Sequence, residues 1–363
     1  TVSNEPEVQP VLPGDPASVH DDIPGLISLL EKFLGSRIGQ SGGGDGGPQF
    51  PPHSSLLFLL HASPIVRSAS ADSLITSTLD VMARRGLHDH LQGGFFRYCV
   101  DGSWTIPHFE KMLYDQAMLL WNYALAWHNY RADRYKHVAE GIVRCLNETF
   151  ADGATLVSAH DADTDHHEGA TYLWVMGELR AVGEETGVDP TSMFELPANG
   201  NFEGQYHLVR NSETPLTPEQ EAFVQQLLAR RRDRSQPEVD RKIVTAWNAL
   251  AGVGMVAASR YLDRTDLLER ARKLLRELRD RNQTPEGRWL RSSLDGRVNS
   301  AEFLEDYAAV LLLTTYLAEH ASTQAELSDW TQEIQALERS IRRFYTPGGW
   351  IAAITPDFEP IPA

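Results

Sequence analysis

Cysteine is almost absent: only Cys99 and Cys145 occur in 363 residues, with no CxxC and no paired spacing. A disulfide framework is therefore not expected to hold the fold, and the scarcity fits a reducing, cytoplasmic compartment. Basic charge is also in deficit, with 33 Lys and Arg against 50 Asp and Glu, a formal net charge of −17. That balance argues against nucleic acid or an anionic membrane as a partner. The local run "ARRRDR" (229–234) reads as the solvated end of a helix. No apolar run approaches the roughly 20 residues that span a bilayer. The first residues, "TVSNEPEVQP", carry neither Met nor an apolar signal segment, so the start reads as processed or truncated. The glycine-rich "GQSGGGDGGPQFP" (39–51) lacks the G-x-x-x-x-G-K-[ST] pattern and reads as an irregular loop. No cofactor motif appears, and neither a cofactor nor a metal is expected.

What the chain does have is helical periodicity. Residues 1–23 are rich in Pro, Asp and Glu and read as a linker or arm. From there to 363 one domain is expected, with helices over 24–38, 54–62, 72–85, 110–130, 134–150, 175–186, 217–233, 241–262, 266–281, 302–321 and 325–345. Three pairs are joined by very short connections: 110–130 with 134–150, 241–262 with 266–281, and 302–321 with 325–345. In each pair the first helix is apolar and rich in small residues ("TAWNALAGVGMVAASRYL") and the second amphipathic ("DLLERARKLLRELRDR"). First helices that line an interior and second helices that cover them make an all-α fold, an α/α toroid. Short strand-like pieces at 155–160, 171–175 and 205–209 suggest a small β insertion near 155–210.

In such a toroid the inner helices share one direction, so their N-termini converge on one mouth. The residues expected there are His108, Glu110, Lys111, Tyr114 and Asp115 on the first helix, Lys242, Trp247 and Asn248 on the second, and Asp306 and Tyr307 on the third. His108, Lys111 and Asp115, at i, i+3 and i+7, would form one stripe of a helix starting at 110. A second cluster, "HDADTDHHEG" (160–169), offers Asp161, Asp163 and Glu168. With Asp161 as the first position, His166 at the sixth and Tyr172 at the twelfth do not fit a calcium loop. With Arg97, Tyr98, Trp104 and Tyr172 nearby, these groups make a lining suited to a sugar: aromatic faces for the ring, polar groups for the hydroxyls.

Five segments carry a resemblance: "GGGDGGPQFP", "HLQGGFFRYCVDGSWTIPHFEKMLYDQA", "DADTDHHEGATYLWV", "DRKIVTAWNAL" and "FLEDYA". In this order they resemble the thioredoxin-domain-containing, spermatogenesis-associated protein family. Its helical part is similar to the N-acylglucosamine and cellobiose 2-epimerase-like six-hairpin toroids. The resemblance runs from about residue 24 to 350 and implies a six-hairpin toroid; it implies little about the reaction. Phe96 stands where the family usually has His, Gln49 where it has Lys, and Arg241 where it has an acidic residue. Each departure would remove a titratable or oppositely charged group near the mouth. The thioredoxin-like domain and the final helices of the family are also missing, so the toroid would lack its closing hairpin.

The expected function is chemistry on a small polyhydroxylated substrate, a sugar, by an epimerase or isomerase. His108 would act as base or acid, with Glu110, Asp163 and Asp306 as partners. Arg97 would steady an enolate-like oxygen, and Tyr98, Trp104, Lys111, Tyr114, Asp115, Asp161, Glu168, Tyr172, Lys242, Trp247, Asn248 and Tyr307 would bind the substrate. Glycoside hydrolysis by two carboxylates is one alternative; a non-catalytic binding or assembly subunit is the other. An unclosed toroid would also expose Leu311, Leu312, Leu313, Tyr316, Leu317, Ile334, Leu337, Ile341 and Phe344, to be covered by a second copy or another chain.

Overall fold

The computed structural model describes residues 25–29, 32, 47–299, 301–354 and 361–362. The arm expected over 1–23, most of the helix expected over 24–38 and the glycine-rich stretch up to Gly46 lie outside the described residues. The helices that follow are α1 (His53–Val66), α2 (Ala69–Arg84), α3 (Leu113–Tyr130), α4 (Asp133–Cys145), α5 (Met176–Thr186), α6 (Pro218–Arg232), α7 (Thr245–Tyr261), α8 (Thr265–Asn282), α9 (Leu304–Ala318) and α10 (Gln324–Ile341).

Side-chain character sorts them into two layers. Helices α3 and α7 are buried on almost every side, whereas α8 buries only a stripe made of Leu267, Ala271, Leu274, Leu275, Leu278 and Asn282. A helix apolar all round belongs inside; an amphipathic one covers it. The inner row runs α1, α3, α7, α9, and the outer helices α2, α4, α8 and α10 each return beside the preceding inner one. Small residues let the inner helices approach closely: a Cβ on Gly254 of α7 would stand 2.7 Å from the Ala117 carbonyl oxygen of α3. Helices α5 and α6 stand apart, packing around their own cluster of Trp174, Leu179, Phe194, Phe223 and Leu227.

The expected N-termini of three inner helices are displaced. Lys111–Met112, Ile243–Val244 and Glu302–Phe303 are extended, and the helices begin at Leu113, Thr245 and Leu304. Each two-residue strand is pinned by an antiparallel partner: Lys111 opposite His160, Ile243 opposite Ser293, Glu302 opposite Ile354. The fourth residue of each helix then clamps a neighbouring main chain. Gln116 holds both the N–H and the carbonyl of Phe95 at 2.8 and 2.7 Å. Asn248 does the same to Leu156 at 2.8 and 2.9 Å. The Tyr307 hydroxyl accepts from the Trp289 N–H at 3.1 Å.

The β insertion is not one small sheet. Residues 155–156 and 159–160 join different strand partners, and 171–175 meets 205–209 only through a bridge between Trp174 and Tyr206. At the C-terminal edge the nine apolar residues expected to be uncovered are all buried or half-buried. The strand Gly349–Ile354 pairs with Glu302–Phe303 and packs beside α9, and Phe344 packs on Tyr307 at 5.4 Å. That strand does part of the covering expected of another chain. Cys99 and Cys145 are buried and unpaired. Among the described residues no helix is long and apolar enough to cross a membrane.

Candidate functional site

The third residue of each displaced helix lies at the mouth end: Asp115, Trp247 and Asp306, on α3, α7 and α9. Tyr114 and Trp247 meet edge to face at 5.2 Å. Asp306 reaches the start of the neighbouring helix, accepting the Ala246 N–H at 2.9 Å and Arg291 at 3.1 Å. Asp115 plays the matching part at the start of α1, where His53 Nε2 stands 2.9 Å from its Oδ1. The angle of that approach does not complete a hydrogen bond, so the two groups are in close contact only. Asp115 and Asp306 each keep one buried carboxyl oxygen without a partner.

Burial dominates both carboxyls. It raises Asp115 above the usual aspartate range, against the opposing pull of His53. It raises Asp306 to about 7, against Arg291 and the Ala246 N–H. Asp306 therefore keeps its proton through mildly acid pH and gives it up only around neutrality, where an ordinary aspartate has long lost it.

The half-exposed rim is built by the hairpin preceding α3. Tyr98–Cys99 pairs with Pro107–His108, which brings Tyr98 and His108 opposite each other with their rings stacked at 5.1 Å. Phe50 stacks on the other side of Tyr98 at 4.5 Å. Arg97 donates to Glu110 at 2.8 Å and to the Tyr114 hydroxyl at 3.1 Å. His108 Nδ1 lies 2.7 Å from Glu168 Oε1, and its Nε2 lies 3.9 Å from Glu110. An ionised carboxylate only accepts, so Nδ1 is the donor to Glu168, and in the tautomer this fixes for the uncharged ring Nε2 is the lone-pair nitrogen.

Thus the structure brings Arg97, Tyr98, His108, Glu110, Tyr114, Asp115, Glu168 and Trp247 together, while Asp306, at the equivalent helix start, is fully buried against Ala246 and Arg291. It takes others elsewhere. Lys111 is sealed in the interior, where its Nζ donates to Asp89 at 2.7 Å and to the Gly93 carbonyl at 3.2 Å. The stripe with His108 and Asp115 fails because residues 107–108 and 111–112 are strand, so neighbouring side chains alternate sides. Arg231 completes the network by gripping the same Asp89 with two bonds of 2.9 Å. Tyr172 packs edge-on against Phe96 at 4.9 Å in an aromatic cluster with Phe109, and Lys111 lies 5.2 Å over the Phe96 ring. The departure at Phe96 is thus in this packed cluster. Gln49 is bridged to Cys99, and Arg241 is exposed before α7.

Trp104 is buried in a tight turn with φ of 58°, its carbonyl accepting from Gly86. Asn248 and Tyr307 are spent on the main-chain clamps. Asp161 and Asp163 are exposed, Asp163 on a hairpin where it pairs with Glu168, and Lys242 pairs with Asp240 at 3.0 Å on the surface. Phe50, His53 and Arg291 were missed. His53 was legible as the start of an inner helix, had α1 been aligned with α3, α7 and α9; Arg291 lies in a connection with no pattern of its own. No group of three or more metal-ligating side chains is assembled among the described residues.

No family model matches the chain. Spermatogenesis-associated protein 20 of Rattus norvegicus is 30% identical over 352 residues, 81% of this chain and 44% of that protein. The Mus musculus protein of the same name is 29% identical over 362 residues, 85% of this chain and 45% of that one. The chain is a homologue of spermatogenesis-associated protein 20. An uncharacterised protein of Caenorhabditis elegans is also 30% identical, over 291 residues, 68% of this chain and 39% of its own length. The chain thus spans less than half the length of these relatives.

Among solved structures, unsaturated glucuronyl hydrolase from Bacillus sp. GL1 aligns with a TM-score of 0.52 and 13% identity, over 92% of this chain and 70% of its own. A glycoside hydrolase family 76 mannosidase from Bacteroides thetaiotaomicron has a TM-score of 0.52 and 8% identity, over 89% and 72%. The fold is the α/α toroid of the six-hairpin class. A sugar epimerase from a ruminal bacterium aligns at a TM-score of 0.44 and 12% identity, over 95% of this chain and 92% of its own.

Proposed function

We propose that the mouth is the active site of a carbohydrate-modifying enzyme, an epimerase or isomerase that moves a proton at the carbon beside a sugar carbonyl. The observation that carries this reading is His108, held through Nδ1 by Glu168 and stacked on Tyr98, with Nε2 left as a base. Nε2 takes the proton from the carbon, and the electron pair moves onto the carbonyl oxygen as an enolate that Arg97 stabilises. Asp306 is sealed from solvent, so water at the half-exposed rim returns a proton to the other face. The His108 proton then passes back to solvent. Tyr114, Trp247 and Phe50 offer the aromatic surfaces on which a sugar ring stacks, and Tyr98, sandwiched between His108 and Phe50, holds both in place.

Glycoside hydrolysis is the second reading, favoured by Asp115 and Asp306: both carboxyls are raised by burial and each has one unpartnered oxygen. A non-catalytic sugar-binding subunit is the third outcome, and one experiment separates all three. The protein is incubated in D2O with N-acetylhexosamines, mannose and cellobiose, and followed by proton NMR. The epimerase reading expects loss of the signal beside the carbonyl, slowed about a hundredfold or more in His108→Ala. Release of monosaccharide from cellobiose without that loss supports hydrolysis. Saturable binding without turnover supports the subunit.

A further inference from the structure

A cavity of about 300 Å³ lies away from the mouth, between α2, α4 and the segment from Met193 to Val224. That is at the lower end of the size of small-molecule sites. Two polar groups on its wall are short of partners. His88 is only 7% exposed, and its Nε2 has no hydrogen-bond partner. Its tautomer follows from its neighbours. His90 Nε2 lies 3.0 Å from the Arg85 carbonyl, which can only accept, so His90 carries its proton there. Burial holds His90 down to about 3 and His88 well below the usual range, so both rings are neutral. His90 Nδ1 is then a lone pair, and His88 Nδ1, 3.3 Å away, must donate to it. His88 Nε2 is left as a buried acceptor with nothing to accept. It faces α4, 4.0 Å from where a Cβ on Gly141 would stand.

The second group is Arg210. Arg84 and Arg134, which also line the cavity, have carboxylate partners: Glu195 and Glu213 for Arg84, Asp80 and Glu213 for Arg134. Among the described residues Arg210 has no carboxylate within 4.0 Å; it donates to the Thr214 carbonyl at 2.6 Å, and its buried Nε donates to nothing. The apolar part of the remaining wall includes Val138, Phe194, Leu216 and Val224. Asp80, Asp133, Glu213 and Glu221 also line it. Four carboxylates with one unpaired guanidinium disfavour a dianion such as phosphate and leave room for a single planar carboxylate on the guanidinium fork.

We propose that this cavity binds a small apolar monocarboxylate bearing a hydroxyl or amino group on the carbon next to the carboxylate. The carboxylate pairs with Arg210, the hydroxyl or amino group donates to His88 Nε2, and the apolar body lies against Phe194, Leu216 and Val224. The proposal is independent of the chemistry at the mouth.

Isothermal titration calorimetry with three probes tests it on the unaltered protein. Phenyllactate has the carboxylate, the adjacent hydroxyl and an aromatic body; 3-phenylpropionate lacks the hydroxyl; phenyllactamide lacks the charge. Phenyllactate is expected to bind about tenfold or more tighter than either analogue, since each analogue leaves one buried group unpaired. Arg210→Gln, in a half-buried residue, should lose phenyllactate binding about tenfold. His88→Phe keeps a ring on Phe95 and should erase the preference for phenyllactate over 3-phenylpropionate. No heat with any probe at about 10 mM, where even a weak site would register, overturns the proposal. Equal affinity for phenyllactate and 3-phenylpropionate in the unaltered protein overturns it as well.

Discussion

Glu110 and Lys111 are neighbours in the chain and end in opposite worlds. Glu110 points to the half-exposed rim, where it pairs with Arg97 beside His108 and Tyr114. Lys111 points into a sealed network in which it and Arg231 share Asp89 beneath an aromatic cluster. Lys111 opens the short strand and Glu110 immediately precedes it, so their side chains leave the chain on opposite sides. The rim groups are partly open to solvent. The network is almost wholly buried, and its charges satisfy one another.

The network has a further asymmetry. Two cations share one carboxylate, and burial alone would raise the Asp89 carboxyl, yet Arg231 and Lys111 together hold it well below the usual range. Such a group contributes stability that is present above the ordinary aspartate pKa and is lost only as pH falls through the depressed folded value. The loop that carries Asp89 can lie this close to α4 because Gly93, with φ of +87°, has no Cβ; one there would stand 2.4 Å from the Gly141 carbonyl oxygen.

The comparison can be broken most forcefully at Asp89. Asp89→Asn leaves two buried cations without a carboxylate and is expected to cost about 3–5 kcal/mol, or to prevent folding. Urea denaturation measures it, and a loss under about 1 kcal/mol would show that the network is not what holds this region. Lys111→Met should cost less, about 1.5–3 kcal/mol, because Arg231 still neutralises Asp89.

An effect of opposite sign with pH is expected at Asp306. The unfolded chain ionises this residue near its ordinary value of 3.8, while the folded protein keeps the proton until about 7. Between these values the unfolded state binds fewer protons, so the residue's contribution falls as pH rises, by up to roughly 1.4 kcal/mol per pH unit. Asp306→Asn removes that slope and keeps an oxygen for Ala246. The variant should therefore gain stability relative to the parent between about pH 4 and 7; parallel urea titrations at the two pH values would show a constant difference if the carboxyl were ionised throughout.

The smallest stability effect belongs to the rim. Glu168→Gln removes the charge holding His108 Nδ1, in a pair that is about a third exposed on each side. Its cost should stay within about 1 kcal/mol. Proton exchange from the sugar, by contrast, should slow about tenfold or more, with a shifted pH profile as the imidazole loses its carboxylate. An unchanged profile would remove the His108–Glu168 pair from the chemistry.

The hairpins were legible in the sequence because inner and outer helices differ in kind: α7 is apolar on all faces, α8 on one. Trp247 at the mouth and Asp306 at the equivalent helix start were legible because helices that run in one direction bring equivalent positions together. The two-residue strands before α3, α7 and α9 were not, since two residues carry no period. That miss displaced Lys111, Asn248 and Tyr307 into the expected site. The partners of Lys111 could not be read either: Asp89 lies 22 residues away, and Arg231 lies 142 from Asp89, with no local pattern linking them. The orphaned acceptor on His88 depends on a tautomer that only packed neighbours fix.

The division between rim and interior is tested most directly by urea unfolding of Glu110→Gln and Lys111→Met side by side. The account predicts a loss of no more than about 1 kcal/mol for Glu110→Gln, whose pair with Arg97 is partly solvated. It predicts about 1.5–3 kcal/mol for Lys111→Met. Equal losses, or the larger loss at Glu110, would contradict the claim that adjacent residues face a partly solvated rim on one side and a buried network that holds the fold on the other.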